Sequence, residues 1–442
     1  MVPIASATRP DRAGNTSTTA GRTGIVRPRP APAAAWADLD RLRGAGAGYD
    51  AVVEEIDGRR IRIGARWLVD WASCNYLGLD LDPAIMDAID VQIRRWGTHP
   101  SWSRLLGNPR LYPDIEDRLT ELLGAPDSLV LPTITHIHLS VLPALAGTGT
   151  IFLDSHAHKT IYDGCVHARG LGATLHRFRT GDLDQLADLL RADAATDAAG
   201  TRLVCMDGVD SMTGNPPDLR TVAALCRRYG ALLYVDDAHG FGVIGERRHD
   251  ETSPYGARGN ALVRHTGESY DGIVLVGGFS KAYSSLLAFL AVPTEVKNRL
   301  KLAAAPYLYS GPSPTASLAS VLAGFDVNDA RGDQLRARLY RLTGALLEHV
   351  HRLGLATPNT SGTPIVELPV APGQDLAEVS GALWHGGVYP TLAAYPLVPR
   401  DQVGIRIQVT AAHTLAQVDQ LGAVLAELAG RGVFRTGAPA AR

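Results

Sequence analysis

Short apolar runs alternate with helical stretches through the middle of the chain, and this alternation constrains the fold more than any other feature. Strands that are apolar on both sides are typical of a parallel sheet with helices on both faces. The sequence therefore predicts the α/β class, with a mostly parallel sheet flanked by helices. The runs lie at residues 128–131, 150–153, 174–177, 203–206, 231–235 and 273–276, with helical periodicity at 183–190 and 219–229.

Residues on either side of this region show other patterns. Residues 52–63 and 66–69 alternate like a small antiparallel hairpin or meander. Residues 83–96 have apolar residues at helical spacing, with a proline near the start of the predicted helix. After residue 314, a smaller α+β lobe is predicted from a long helix at 316–353, strands at 364–368 and 405–409, and a helix at 415–428.

These patterns divide the chain into four expected parts. They are a disordered tail at 1–35, an N-terminal segment at 36–75, a large domain at 76–313 and a small C-terminal domain at 314–435. The tail is rich in Pro, Ala, Ser, Thr and Arg and has little to bury. A transit peptide is the alternative, but Pro28, Pro30 and Pro32 oppose the amphipathic helix that it needs.

Composition and charge argue against several kinds of partner. The formal net charge is −2, so neither a nucleic-acid-binding nor a membrane-binding surface is indicated. No apolar run reaches the roughly 20 residues of a membrane helix. The chain is expected to be soluble. Its cysteines form no C-x-x-C pair, so a reducing, cytoplasmic setting is expected.

Polar residues directly follow several predicted strands, where open α/β sheets bind their ligands. Lys281 follows the run at 273–276 within Gly-Gly-Phe-Ser-Lys, and such a dry setting makes an amine a better nucleophile. Asp236 and Asp237 end the run at 231–235, where two carboxylates are costly unless a partner neutralises them. A solvated lysine and a structural ion pair are the alternative interpretations.

Other candidates follow the remaining strands. His158 lies after the run at 150–153, and a ring-stacking role is favoured over a metal site because an i, i+2 pair with His156 suits a metal poorly. Ser211 lies in a turn-rich stretch after the run at 203–206. Arg406 alternates with aliphatic residues on a predicted strand and needs an anion on its face, either a substrate carboxylate or a structural aspartate.

Together these residues match what pyridoxal 5'-phosphate (PLP) requires of a protein. The cofactor needs a lysine for a Schiff base and a carboxylate beside its pyridine nitrogen. It also needs donors for its 3'-oxygen and phosphate, and a group over the face of its ring. The residues that could meet these needs are Lys281, Asp236, His239, Ser211 and His158.

The order of the motifs resembles that of the α-oxoamine synthase family, fold-type I PLP-dependent enzymes. The resemblance extends from about Asn75 to His413. It implies a large domain with a mostly parallel sheet and a smaller α+β domain. The segments that carry it are Asn75-Tyr-Leu-Gly-Leu, Ser103-Arg-Leu-Leu-Gly, Asp236-Asp-Ala-His-Gly, Phe279-Ser-Lys and Arg406 followed by Ala-Ala-His413-Thr.

The resemblance also implies roles for individual residues. Lys281 would form the Schiff base and act as general acid and base, with Asp236 beside the pyridine nitrogen. The other roles are 3'-oxygen contacts for His239 and Ser211, ring stacking for His158, and carboxylate or keto-group binding for Arg406 and Asn75. Members of the family are homodimers with the active site at the subunit interface. They condense an amino acid with an acyl thioester of coenzyme A, usually with loss of carbon dioxide.

The chain departs from the family pattern around the expected phosphate site. Gly278 and Gly311 stand where the family commonly has threonine, and the segment at 133–138 replaces S-G-F-x-A-N. Because a phosphate is costly to leave without donors, nearby groups are expected to compensate. The candidates are Thr133, Ile134, Thr135, Ser280 and Ser310.

His136 and His138 have no counterpart in the common pattern. They are candidates for binding a substrate that is bulkier or more polar than glycine or alanine. The alternative interpretation is that both satisfy backbone groups in a rebuilt turn.

The predicted function is PLP-dependent carbon–carbon bond formation, with a role in specialised metabolism as one interpretation. An amino acid bound as an external aldimine would lose its α-proton to Lys281, and the resulting quinonoid carbanion would attack an acyl thioester. One alternative is β/γ-elimination or replacement on an activated amino acid such as S-adenosylmethionine, and another is transamination. A binding protein that merely kept the fold is disfavoured by the joint presence of Lys281, Asp236 and Arg406.

Overall fold

A computed structural model describes residues 33–44, 48–196 and 200–437. Its first element is the helix α1 (Ala33–Gly44). The predicted disordered tail therefore lies almost entirely outside the described residues.

The larger of two sheets has seven strands in the order β4-β10-β9-β8-β7-β5-β6. Strand β10 runs antiparallel to both of its neighbours, while β6, β5, β7, β8 and β9 pair in parallel. The mostly parallel sheet is thus confirmed, and β10 is the strand that the sequence analysis missed. The strands are β4 (Asp127–Leu131), β5 (Thr150–Asp154), β6 (Thr174–Phe178), β7 (Arg202–Asp207), β8 (Ala231–Asp236), β9 (Ile273–Gly278) and β10 (Ala288–Val292).

Apart from the partly exposed edge strand β6, this sheet is buried on both faces because its side chains alternate between two hydrophobic cores. Phe152 and Val204 belong to one core, and their neighbours Ile151 and Leu203 belong to the other. Side chains two residues apart on a strand share a face. The two cores confirm the helix-covered α/β arrangement.

The smaller sheet joins the two ends of the described chain, in the order β1-β2-β3-β12-β13-β11. The predicted hairpin is confirmed. Strand β3 also pairs in parallel with β12, and the sequence predicted neither this pairing nor the strand β12 itself. The expected N-terminal segment and C-terminal domain therefore share one sheet, and the division of the chain into domains remains a proposal. The strands are β1 (Glu55–Asp57), β2 (Arg60–Ile63), β3 (Arg66–Trp71), β11 (Ile365–Pro369), β12 (Val388–Ala393) and β13 (Gly404–Gln408).

The helices include the predicted segment with proline at its start and the predicted long helix, α11. In the described ranges, no helix is both long enough and apolar enough to cross a membrane. After α1, the helices are α2 (Pro83–Trp96), α3 (Leu111–Leu123), α4 (Ile134–Ala146), α5 (Lys159–Gly170), α6 (Leu183–Ala194), α7 (Leu219–Arg228), α8 (Ala261–His265), α9 (Thr294–Ala303), α10 (Ala305–Leu308), α11 (Thr315–Arg352), α12 (Leu376–His385) and α13 (Leu415–Gly430).

Candidate active site

Lys281 lies three residues beyond the carboxyl end of β9 and is half-buried. Burial lowers the pKa of its amine, and the charge of Arg406 acts in the same direction. The carboxylates of Asp236 and Asp207 partly oppose this shift. An amine whose pKa is lowered is more often neutral, and therefore nucleophilic, near neutral pH.

Asp236 is the last residue of β8 and is almost completely buried. Its Oδ2 lies 2.9 Å from Nε2 of His138, and its Oδ1 accepts a hydrogen bond of 3.0 Å from the backbone of Ala238. Burial alone would raise the pKa of Asp236, but the hydrogen bond from His138 and the charge of Lys281 bring it to about 2. The carboxylate is therefore ionised at neutral pH.

Asp237 points away from this carboxylate and has a structural environment. Its two oxygens accept hydrogen bonds from the backbone of Val209 at 3.1 Å and of Leu262 at 2.7 Å. Burial raises the pKa of Asp237 to about 7. At neutral pH Asp236 is therefore ionised, whereas Asp237, whose pKa is close to that pH, is only partly ionised.

His239 lies in the turn after β8, and its Nδ1 is 2.7 Å from the hydroxyl of Tyr76. Both side chains are buried. Burial, together with the charges of Lys281 and Arg406, lowers the pKa of His239 well below its ordinary value. The imidazole is therefore neutral, and Tyr76 fixes which way its ring faces.

His158 lies at the N-terminus of α5, and its side chain is exposed. Its backbone N–H donates to Asp207 at 3.0 Å, and its Nδ1 lies 2.8 Å from the hydroxyl of Thr160. The loop after β5 is thus tied to the end of β7.

Arg406 reaches from β13 in the smaller sheet to the end of β7 in the larger one. Its Nη1 donates to the backbone oxygen of Ser211 at 2.7 Å. With the Gln408 amide oriented so that its oxygen faces Arg406, Nε and Nη2 each donate to it at 2.8 Å. The guanidinium is therefore held in place from two sides.

The N-terminus of α4 follows β4 at the same edge of the sheet. Thr133 caps this helix, since its hydroxyl accepts a hydrogen bond from the backbone of His136 at 3.2 Å and lies 3.1 Å from Nδ1 of that residue. First-turn N–H groups lack partners within a helix and favour anions. Ile134 and Thr135 are the first two residues of this turn.

Gly278 faces the same turn across a close contact. A Cβ atom at Gly278 would lie 2.5 Å from Cδ1 of Ile134. The isoleucine therefore occupies the space that a larger side chain at Gly278 would need.

The remaining predicted residues have simpler positions. Ser280 is exposed next to Lys281, and Asn75 is half-buried beside Tyr76. The hydroxyl of Ser310 donates to the backbone oxygen of Gly311 at 2.9 Å. His136 is exposed, and its contacts with Thr133 fit the interpretation that it completes a rebuilt turn.

The assignment of His138 to substrate binding does not fit its position. The side chain is 0% exposed, and both ring nitrogens are engaged, one with Asp236 and the other with the hydroxyl of Tyr234 at 2.9 Å. The sequence could not reveal this because α4 and β8 meet only in the folded chain. His138 lies behind Asp236, where it orients the carboxylate.

Sequence analysis also missed Tyr76, Asp207 and Tyr234 as members of this cluster. Tyr76 lies inside the quoted Asn-Tyr-Leu-Gly-Leu segment, and Asp207 ends a predicted strand as Asp236 does. The motif and the strand end could therefore have identified Tyr76 and Asp207 as site residues. Tyr234 gave no such signal, because it lies within the apolar run at 231–235 like an ordinary strand residue.

The donor set fits PLP. A buried carboxylate that stays ionised suits a protonated pyridine nitrogen, and a neutral histidine suits a 3'-oxygen. A lysine with a lowered pKa suits a Schiff base. The turn at the start of α4 offers backbone N–H groups to a phosphate.

Comparison with known proteins agrees with this chemistry. Residues 67–425 match the model of the family "Aminotransferase class I and II". The chain is 32% identical to the 8-amino-7-oxononanoate synthase of Stutzerimonas stutzeri (strain A1501) over 379 residues, which is 85% of this chain and 91% of that protein. It is 33% identical to the same enzyme of Bordetella petrii (strain ATCC BAA-461 / DSM 12804 / CCUG 43448), over 83% of this chain and 90% of that protein.

Solved structures show the same fold. A structure of SPT with a PLP internal aldimine superposes with a TM-score of 0.80 and 24% identity, covering 89% of this chain and 96% of that chain. The serine palmitoyltransferase of Sphingomonas wittichii gives a TM-score of 0.79 with 24% identity and the same coverage. The chain belongs to the aminotransferase class I and II family and, within it, to the PLP-dependent α-oxoamine synthases.

Proposed function

We propose that this protein joins the α-carbon of an amino acid to the acyl group of a thioester. The observation that carries the proposal is the ionised, buried Asp236 near a half-buried Lys281 whose pKa is lowered. When bound, PLP supplies an electron sink that stabilises negative charge on the α-carbon. The relatives named above, which are enzymes of carbon–carbon bond formation by acyl transfer, support the same reaction type.

Each residue of the site has a part in this proposal. Lys281 holds the cofactor and moves the α-proton, for which a lowered pKa is suited. Asp236 accepts a hydrogen bond from the protonated pyridine nitrogen, and His138 keeps that carboxylate in place. His158 covers the ring, and neutral His239 contacts the 3'-oxygen together with Ser211.

Arg406 receives the carboxylate of the amino acid, with Asn75 as a further contact. A guanidinium suits a carboxylate because its planar donors can bind both oxygens. The contacts with Ser211 and Gln408 use one N–H of each guanidinium nitrogen, so Nη1 and Nη2 each keep one N–H for a carboxylate. The turn formed by Thr133, Ile134 and Thr135 binds the phosphate, with Ser280 nearby.

We also infer a homodimer with the active site at the subunit interface, and a cytoplasmic location. The family resemblance supports the dimer. All four cysteines are free thiols, as expected in a reducing compartment.

A test begins with the purified holoprotein. Lys281→Ala should abolish the absorption band of the lysine–cofactor Schiff base, while Lys301→Ala on α9 should leave it intact. The parent protein, mixed with an amino acid and a set of acyl thioesters, should release free thiol and yield an α-amino ketone detectable by mass spectrometry. Release of a keto acid without any thioester would instead indicate transamination or elimination.

A further inference from the structure

Three polar residues form a row across the smaller sheet. Arg406 on β13 lies directly opposite Glu367 on β11 and opposite Thr391 on β12. Residues that are directly opposite on paired strands share a face of the sheet. Because Arg406 reaches from this face to Ser211, Glu367 lies on the side of the sheet that faces the candidate active site.

Glu367 is a buried acid with an unsatisfied oxygen. Glu367 is only 2% exposed, and its Oε1 has no hydrogen-bond partner among the described residues. Arg406 forms no hydrogen bond with Glu367, because the guanidinium hydrogen bonds go to Ser211 and Gln408. Buried polar atoms without partners are rare in proteins and call for an explanation such as a bound ligand.

The electrostatic setting of Glu367 favours a cationic partner. Burial raises the pKa of Glu367 to about 7, and the charge of Asp210 raises it further, against the effect of Arg406. Asp210 is anchored by the backbone N–H groups of Met212 and Thr213, at 2.9 Å and 2.6 Å. Two acids whose charges Arg406 offsets only in part would repel an anionic ligand and attract a positively charged one.

Space for a ligand lies on the Asp210 side of this pair. Asp210 also lines a cavity of about 340 Å³ beyond the carboxyl ends of β5, β6 and β7. Neighbouring strands lie roughly 4.8 Å apart, so a group bound at Glu367 would lie only a few bonds from a carboxylate bound at Arg406. That separation suits the side chain of an amino acid better than a long acyl chain.

We propose that Glu367 is a specificity-determining residue that accepts a hydrogen bond from an ammonium or other N–H group on the side chain of the amino-acid substrate. This inference rests on the proposed function, in which Arg406 receives the carboxylate of the same molecule. The preferred substrate is then an α-amino acid with a short, cationic side chain.

The experiment compares amino acids of matched shape on the holoprotein. Binding is followed by the change in cofactor absorbance, using ornithine against norleucine and 2,4-diaminobutyrate against norvaline. The parent protein should bind the amine of each pair about tenfold to a hundredfold more tightly, as expected for a hydrogen bond to a charged group. Glu367→Gln should reduce this preference to about threefold or less, because the charged acceptor for the side-chain amine is lost.

Glu427→Gln, an exposed change on α13, is the matched control and should keep the full preference. Glu367→Met provides a second test in which no acceptor remains. Equal binding within the pairs by the parent protein, or an undiminished preference in both Glu367 variants, would overturn the inference. Absence of the cofactor band in the parent protein would overturn the proposed function itself, and the inference with it.

Discussion

Nε2 of His138 lies 2.9 Å from Oδ2 of Asp236, and the opposite nitrogen of the same imidazole lies 2.9 Å from the hydroxyl of Tyr234. The three groups form a buried chain that links α4 to β8. Since a carboxylate in an apolar interior is unstable unless it is hydrogen-bonded, this chain holds Asp236 both in place and ionised.

Replacing His138 by Phe should therefore weaken the site without touching any surface group. The carboxylate of Asp236 would lose a buried hydrogen bond, which costs about 1–3 kcal/mol of unfolding free energy. The pKa of Asp236 should rise, because the hydrogen bond from His138 would no longer oppose the effect of burial. Urea denaturation should report the lost stability, and titration with PLP should report a weaker affinity.

A histidine elsewhere provides the control for this change. His385→Ala on α12 removes an exposed ring that bonds only the backbone of Gly381, and should change neither quantity measurably. If His138→Phe retained the parent's PLP affinity, His138 would have no part in positioning Asp236.

Tyr76→Phe should loosen His239 while preserving the packing of the ring. The hydroxyl lies 2.7 Å from Nδ1 of His239, and a net loss of about 0.5–1.5 kcal/mol is expected for one such hydrogen bond. Thermal unfolding measures this loss. The absorption maximum of the bound cofactor should also shift, because His239 no longer holds one orientation beside the 3'-oxygen.

Tyr309→Phe serves for comparison, since this tyrosine is 83% exposed. It should leave both the unfolding temperature and the absorption maximum unchanged. An unaltered spectrum in Tyr76→Phe would show that His239 does not contact the cofactor.

The stability of the cofactor-free protein should fall as pH rises through the range in which Glu367 ionises. Its pKa is raised from 4.5 to about 7 in the folded protein, so between these values the folded state binds more protons than the unfolded state. The contribution is fully present below 4.5 and is lost by about pH 7 and above.

Glu367→Gln should remove that part of the pH dependence. At pH 8 the variant should be more stable than the parent by about 1–3 kcal/mol, and the difference should shrink toward pH 4.5. Urea denaturation at a series of pH values measures the two slopes. Parallel slopes for parent and variant would show that Glu367 ionises normally in the folded chain.

Much of the fold could be predicted because most strands of the larger sheet are buried on both faces. Their continuous apolar runs stood out, and the polar residues at their ends marked Lys281 and Asp236. The proline that begins α2 and the periodicity of α11 were equally local signals. Family identity followed from the order of these motifs.

What could not be predicted depends on pairing between distant segments. Strand β10 is a run of only five residues. One of its partners, β4, lies far away in sequence, and the other, β9, lies beyond an intervening turn. His138 offered a substrate-binding interpretation because nothing local indicates that it meets Asp236. Glu367 was passed over inside an apolar run, although a charged residue there gives the same signal that singled out Arg406.

Gly278→Thr should show how the phosphate site is rebuilt. A Cβ at this position would lie 2.5 Å from Cδ1 of Ile134, and forcing extra atoms into a packed site typically costs about 1–3 kcal/mol. Ile134→Ala should relieve the clash, so the double variant should be less destabilised than the sum of the two single changes, by more than about 0.5 kcal/mol. It should also bind PLP more tightly than Ile134→Ala alone, because the new hydroxyl can donate to the phosphate. Gly381→Thr on α12, where a Cβ meets nothing within 4 Å, should combine additively with Ile134→Ala. If Gly278→Thr and Ile134→Ala were also additive, Gly278 and Ile134 would be independent of each other.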